Sequence, residues 1–182
     1  MKRTVLTFGL ISGAFSSVMM LLTVPFLDRI VDHGEILGYS LIVLSFLLVF
    51  FGVRSYRDNV AGGALTFGRA LAVGLLITLI SCTFYLATWE LIYYKLAPGF
   101  LDKYTAHVVE KQRAGGATPE QLQAAAVRME EFKRLYQNPL VNIAFTFLEP
   151  FPIGFLVSLI SAGVLRRRAG PAFAAAESSP VR

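Results

Sequence analysis

The sequence places one carboxylate inside a long apolar segment. Glu149 is the only charged residue between Leu140 and Leu165. A carboxylate in lipid is costly unless it pairs, faces protein or water, or takes up a proton. Glu149 is therefore a candidate for a cation or proton site. The alternative is that it is protonated or hydrogen-bonded to a neighbouring helix and only fixes the packing.

Two prolines directly follow this carboxylate. Pro150 and Pro152 lack a backbone N–H, so carbonyls one turn earlier lose their partners and the helix is predicted to bend. The depth of Glu149 stays open at this point. Its distance from Leu140, about 14 Å along a helix, indicates the midplane, whereas its distance back from Arg166 indicates a level about one turn below the outer surface.

A second carboxylate, Glu90, lies nearer the predicted membrane surface and beside Trp89. We expect it to pair with Lys95 or with a group on the last apolar segment. Both Glu90 and Glu149 are candidate functional or packing residues, and Pro150 and Pro152 are grouped with them.

The remaining ionisable residues give weaker patterns. Asp28, Asp32 and Glu35 would share a face suited to a hard cation if this loop were helical, but short acidic loops are usually solvated. The two histidines, His33 and His107, have no Cys or His partners at zinc spacing. The sequence therefore predicts no metal site.

No catalytic motif accompanies these residues. The chain has no nucleophile elbow and no Walker sequence, and Gly62-Gly63 lacks the Lys-Ser/Thr pair of a phosphate loop. The single Cys82 lies in an apolar run, where it is expected to be a small buried residue. We expect a non-enzymatic protein with no cofactor and no catalytic residue.

The composition shows what kind of element must position these side chains. Of 182 residues, 55% are hydrophobic and 16% are charged, and the mean hydropathy is +0.59. This mixture is too apolar for an ordinary soluble surface. The net charge of +5 does not predict nucleic-acid binding, because the inner basic clusters flank apolar runs, where they orient membrane helices.

Four apolar segments are long enough to cross a hydrocarbon core, which takes about 20 helical residues. They are residues 4–27, 36–53, 67–94 and 140–165. Thr66 is a predicted N-cap of the third segment, which ends in an aromatic belt of Trp89, Tyr93 and Tyr94. The predicted fold class is an all-α membrane protein with four transmembrane helices in one domain, 1–168.

Basic residues orient these segments. One side carries Lys2, Arg3, Arg54, Arg57, Arg69 and Arg166 to Arg168 in short stretches. The other side carries equally many Lys and Arg, but they are spread along a long loop, so density near the helix ends decides. We expect a multi-pass protein of the bacterial inner membrane with both termini in the cytoplasm and a disordered cytoplasmic tail, 169–182.

The long loop is predicted to form an outer amphipathic helical hairpin, 100–137. Apolar residues recur at helical spacing on both sides of Gly115-Gly116. Thr118 and Gln121 form a capping-box pattern, Pro119 suits the first helical position, and Asn138-Pro139 ends the segment. The hairpin is predicted either to pack on the bundle or membrane as a lid, or to bind a partner.

Small residues mark the predicted contacts between helices, because lipid offers no hydrophobic drive for helix association and close approach needs small side chains. Three stripes occur: Gly9, Gly13 and Ser17; Ala70, Gly74, Thr78 and Cys82; Gly154, Ser158 and Ala162. We interpret them as packing within one bundle, with homodimerisation as the alternative.

Three stretches carry a family resemblance. They are GLISGAFSSVMMLL from Gly9, FGVRSYRDNVAGGALTFGRALAVG from Phe51 and MEEFKRLYQNPLVNIAFTFLEPFPIGFLVSLISA from Met129. The chain resembles the bacterial membrane proteins grouped as domain of unknown function 4199, which implies a four-span inner-membrane fold and no cofactor or catalytic residue.

The sequence thus favours a structural or interaction protein whose partners are the lipid bilayer and either another protein or a second copy of the chain. The alternative is a small transporter or channel subunit that uses an intramembrane carboxylate.

Overall fold

A computed structural model describes residues 1–26 and 34–166, and it is helical without strands across these ranges. The helices are α1 (Lys2–Thr23), α2 (Gly34–Asn59), α3 (Phe67–Leu91), α4 (Phe100–Ala114), α5 (Pro119–Tyr136), α6 (Pro139–Leu148) and α7 (Phe151–Leu165). A 3₁₀ turn, Val24–Phe26, follows α1, and a π-helical segment, Ile92–Leu96, follows α3. The acidic loop residues Asp28 and Asp32, His33, the side chain of Glu35 and the predicted tail lie outside the described residues.

Four helical segments are long and apolar enough to cross a membrane, as predicted: Lys2–Phe26, Ile36–Asn59, Phe67–Leu96 and Pro139–Leu165. Only 22% to 39% of the most apolar part of each is buried inside the protein. The remaining apolar side chains, such as those of Leu10, Leu44 and Leu156, face outward. A surface this apolar is suited to lipid.

The second span is longer than the sequence predicted. It was expected to end at Val53, but the helix continues through polar residues to Asn59. Asp58 stabilises this extra turn, because its carboxylate lies 3.7 Å from Arg54 Nε and 2.6 Å from Arg57 Nε. Arg54 and Asp58 are four residues apart, a spacing at which opposite charges on one helix face stabilise the helix.

The four spans form a ring in which α1 and α7 each lie between α2 and α3. Glycine permits the closest approaches: a Cβ at Gly9 would meet Ile80 at 2.9 Å, and one at Gly13 would meet Phe84 at 2.7 Å. On the other side of α3, Gly74 lies against Ser158. The three stripes of small residues therefore pack within the bundle, as predicted.

Hydroxyl groups join the same interfaces. Ser12 Oγ on α1 donates to the Ser45 carbonyl on α2 over 2.8 Å. The Thr88 and Ser17 hydroxyls lie 2.7 Å apart between α3 and α1. Between α3 and α7, Thr78 Oγ1 lies 3.1 Å from Ser158 Oγ. These bonds satisfy polar atoms that lipid would leave unpaired.

The chain between α3 and α6 forms the helices α4 and α5, which contact each other. Thr118 caps α5 through the predicted capping box with Gln121, and Gly116 adopts φ +83° in the turn. Asp102 on α4 pairs with Lys133 on α5, and this hydrogen bond raises the pKa of Lys133. Leu101, Ala125 and Tyr136 are buried, so one face of this pair is in contact with protein.

The fourth span consists of two helices. Asn138 caps α6, since its side-chain oxygen accepts from Leu140 N over 3.0 Å. α6 ends at Leu148 and α7 begins at Phe151, with Glu149 and Pro150 between them. This is the interruption that the two prolines predict. Pro150 is fully buried.

Candidate functional site

Glu149 lies at the junction of α6 and α7 and faces the third span. The hydroxyl of Tyr85 on α3 donates a hydrogen bond of 2.9 Å to Glu149 Oε2. Its other oxygen, Oε1, accepts no hydrogen bond within the described ranges, although the side chain is exposed rather than covered by packed neighbours. The carboxylate is thus held in place by one donor and accessible to a second partner.

A polar stripe on α6 leads to this carboxylate. Asn142, Thr146 and Glu149 follow one another at four and three residues, which places them on one face of a helix. Asn142 and Thr146 are buried, and Thr146 Oγ1 donates to Asn142 Oδ1 over 3.1 Å. α6 contacts both α3 and α5.

Tyr136, at the end of α5, links this stripe to the third span. Its hydroxyl accepts a 2.8 Å hydrogen bond from Trp89 Nε1 and lies 3.2 Å from Thr146 Oγ1. Either of these two hydroxyl groups can donate to the other. Burial raises the pKa of Tyr136 above its ordinary value.

These polar groups surround a cavity of about 920 Å³. Its described lining comes from all four spans and from α4 and α5. Tyr85, Thr146 and Glu149 contribute its polar side chains near the break in the fourth span, and Trp89 and Tyr136 lie beside them. The volume is in the range of small-molecule sites, about 300 to 1,000 Å³.

Aromatic rings form much of the cavity wall. Tyr39, Tyr85, Trp89, Phe100, Tyr104, Phe132, Tyr136 and Phe145 are among its lining residues. Several of them contact one another: the Trp89 and Phe100 rings are 5.3 Å apart edge to face, and the Phe132 and Tyr136 rings are 5.4 Å apart. Within the described lining, Glu149 is the one acid and Lys103 on α4 the one base.

Glu90 does not take part in this arrangement. It is partly buried, and it is absent from the described lining of the cavity. Its Oε1 is buried and has no hydrogen-bond partner in the part of the chain that the structure describes. The expected ion pair with Lys95 is not found there either. The structure therefore separates the two carboxylates that the sequence analysis grouped as candidates.

The partners of Glu149 lie outside the residues that the sequence predicts as candidates. Tyr85, Tyr136 and Thr146 were not singled out, although Asn142, Thr146 and Glu149 form a polar stripe at helical spacing in an otherwise apolar segment. That spacing alone indicates a polar face. Tyr85 could not be found in this way, because its role depends on how α3 and α6 pack.

The donor set limits what this site can bind. A Ca²⁺ or Mg²⁺ ion takes about six or more oxygen ligands, and the described residues contain no cluster of three or more His, Cys, Asp or Glu residues. One carboxylate in an aromatic cavity is instead suited to a small organic molecule or to a proton.

Comparison with known proteins identifies a family. The family described as "Protein of unknown function (DUF4199)" matches residues 7–167, which include most of the first span, the other three spans, the polar stripe and Tyr85. The chain belongs to this family. No curated protein and no solved structure matches it. As a member of the DUF4199 family with four apolar helices, the chain has the features of a membrane protein.

Proposed function

We propose that this DUF4199 member is a non-enzymatic, multi-pass protein of the bacterial inner membrane that binds a small solute and acts as a transporter or channel subunit. The supporting observation is the accessible Glu149 carboxylate, which lies in a cavity of about 920 Å³ at the break of the fourth span. Discontinuous spans are common at transporter sites, where ends of half-helices and freed backbone groups contact the solute.

The proposed orientation places both termini in the cytoplasm and the α4–α5 pair outside as a helical hairpin. In that orientation α4 and α5 cover the cavity, because Phe100, Leu101 and Tyr104 from α4 and Phe132 and Tyr136 from α5 line it. The hairpin then serves as the lid of the binding site. A movable lid would open the cavity to the outer side.

Electrophysiology on a solid-supported membrane tests this function. Proteoliposomes would be exposed in rapid exchange to a panel of inorganic ions, organic cations, organic anions and neutral solutes. We expect one class to give a transient charge movement that Glu149→Gln reduces at least tenfold and that Glu131→Gln leaves unchanged. Glu131 is exposed on α5 and absent from the cavity lining, which makes it a matched control. Currents that Glu149→Gln does not change would exclude a transport role for this carboxylate.

A second proposed role is protein binding by the outer face of α5. Val127 and Leu135 are each 53% exposed there, although the other face of the hairpin is buried. The partner would be another protein or a second copy of the chain. Replacing both residues with serine should abolish crosslinking to that partner and leave membrane insertion intact. Crosslinking that survives the double substitution would rule out this face.

A further inference from the structure

We propose that the cavity beside Glu149 binds a monovalent organic cation, with Glu149 as its counter-ion and the surrounding aromatic rings as its cage. This inference rests on the proposed solute-binding function and names the class of solute. It starts from the carboxylate, which receives one hydrogen bond from Tyr85 on Oε2 and remains accessible from the cavity. A cation next to it would replace the water that a charged group otherwise requires.

The cavity wall supplies the second part of such a site. Tyr85, Trp89 and Tyr136 line the cavity together with Glu149, and the Tyr136 hydroxyl lies 3.2 Å from that of Thr146, one turn from Glu149. Tyr85 is bonded to the carboxylate itself, and Trp89 is bonded to Tyr136. Aromatic faces attract cations, and quaternary ammonium groups are bound by cages of this composition. Phenol and indole groups that are bonded to each other keep the rings in fixed positions.

Size and charge exclude the simpler ligands. A cavity of about 920 Å³ is far larger than a single metal ion, and one carboxylate is too few ligands for a hard cation. Lys103 also lines the cavity, from α4. Because like charges repel, a cation is expected beside Glu149, which Tyr85 holds next to α3, and away from the Lys103 ammonium group. A cation pairs with the Glu149 carboxylate, whereas a neutral solute offers it no opposite charge.

The single tryptophan makes this site directly observable, because Trp89 is the only one in the chain and it lines the cavity. Purified protein in a nonionic detergent would be titrated with tetraphenylphosphonium while Trp89 fluorescence is recorded. Tetraphenylborate, which has the same shape and the opposite charge, is the matched probe. We expect saturable quenching by the cation only.

Three variants complete the experiment. Glu149→Gln keeps an acceptor for Tyr85 and removes the charge, so the affinity for tetraphenylphosphonium should fall at least tenfold. Glu149→Asp keeps the charge on a shorter side chain and should show an intermediate loss. Glu131→Gln should bind like the unmodified protein. Equal affinity in Glu149→Gln, or saturable binding of tetraphenylborate instead, would overturn the inference. Loss of folding in Glu149→Gln would be recognised by size-exclusion chromatography, and Glu149→Asp then decides.

The cation could be a soluble molecule or the amine headgroup of a lipid. Addition of phosphatidylethanolamine, with phosphatidylglycerol as the anionic control, separates these sources. If phosphatidylethanolamine competes with tetraphenylphosphonium and phosphatidylglycerol does not, the natural ligand is a lipid headgroup. If neither lipid competes, the natural ligand is a soluble cation. The failure of this inference is distinguishable from failure of the proposed function: Glu149-dependent currents with an anion or a neutral solute would retain the function and reject the cation.

Discussion

Gly154 provides the most quantitative test of how the bundle is packed. It lies in the first turn of α7 and faces α3 and α2. A Cβ at this position would overlap Thr78 Cγ2, and it would lie 2.8 Å from Phe46 Cζ. Gly163 lies in the same helix, and a Cβ there would meet nothing within 4 Å. The substitutions Gly154→Ala and Gly163→Ala therefore add the same methyl group to a closed and to an open site.

The expected difference follows from two opposing effects. Alanine is favoured over glycine in a helix by about 1 kcal/mol, and this gain applies to both substitutions. Overpacking a close contact costs about 1 to 3 kcal/mol, and it applies only to Gly154→Ala. Separation of α3 and α7 would also weaken the bond between Thr78 and Ser158, which is worth about 0.6 kcal/mol in membrane proteins. We expect Gly154→Ala to be less stable than Gly163→Ala by about 1 to 3 kcal/mol.

Unfolding in mixed micelles with increasing mole fraction of sodium dodecyl sulfate measures this difference, with circular dichroism as the readout. The second substitution Thr78→Ser gives an internal check, because it removes Cγ2 and keeps the hydroxyl. The double variant Thr78→Ser with Gly154→Ala should regain part of the lost stability. If Gly154→Ala is as stable as Gly163→Ala, α3 and α7 do not make this close contact in the purified protein. If Thr78→Ser gives no recovery, the strain does not come from Thr78.

The remaining predictions concern the site and the hairpin. Tyr136→Phe removes the hydroxyl that accepts from Trp89 and that is bonded to Thr146. The substitution should lower the free energy of unfolding by about 1 to 3 kcal/mol and shift Trp89 emission. Unchanged emission would contradict the bond between Trp89 and Tyr136. Thr118→Ala removes the N-cap of α5 and should lower the stability of this helix by about 1 kcal/mol. The loss should appear as faster amide exchange in the first turn of α5 but not in α4. Unchanged exchange rates in α5 would show that the cap contributes nothing. A reporter inserted at Gly115 should be active outside, and one fused after Arg168 should be active in the cytoplasm, whereas the reverse pattern would invert the proposed orientation.

The amino-acid sequence by itself determined the helical architecture. Apolar runs of about 20 residues predict transmembrane helices, because an α-helix satisfies all of its backbone hydrogen bonds within one segment and lipid offers no other partners. Local chemistry likewise determined the helix boundaries at Thr66 and Thr118, since an N-cap bonds to a backbone N–H only three residues away. The break after Leu148 follows from Pro150 and Pro152 for the same reason: the missing donors are local.

Only the tertiary structure shows which of the two carboxylates lines the cavity. Glu149 and Glu90 look alike in sequence, as single acids in apolar segments next to aromatic or proline residues. Their difference arises from contacts between distant parts of the chain. Tyr85 bonds to Glu149 from another span, and residues from α4 and α5 contribute to the lining of the cavity. Such contacts depend on how helices rotate and approach one another, which small residues such as Gly154 permit but do not specify. Helical periodicity predicts the polar face of α6, and packing alone determines what that face contacts.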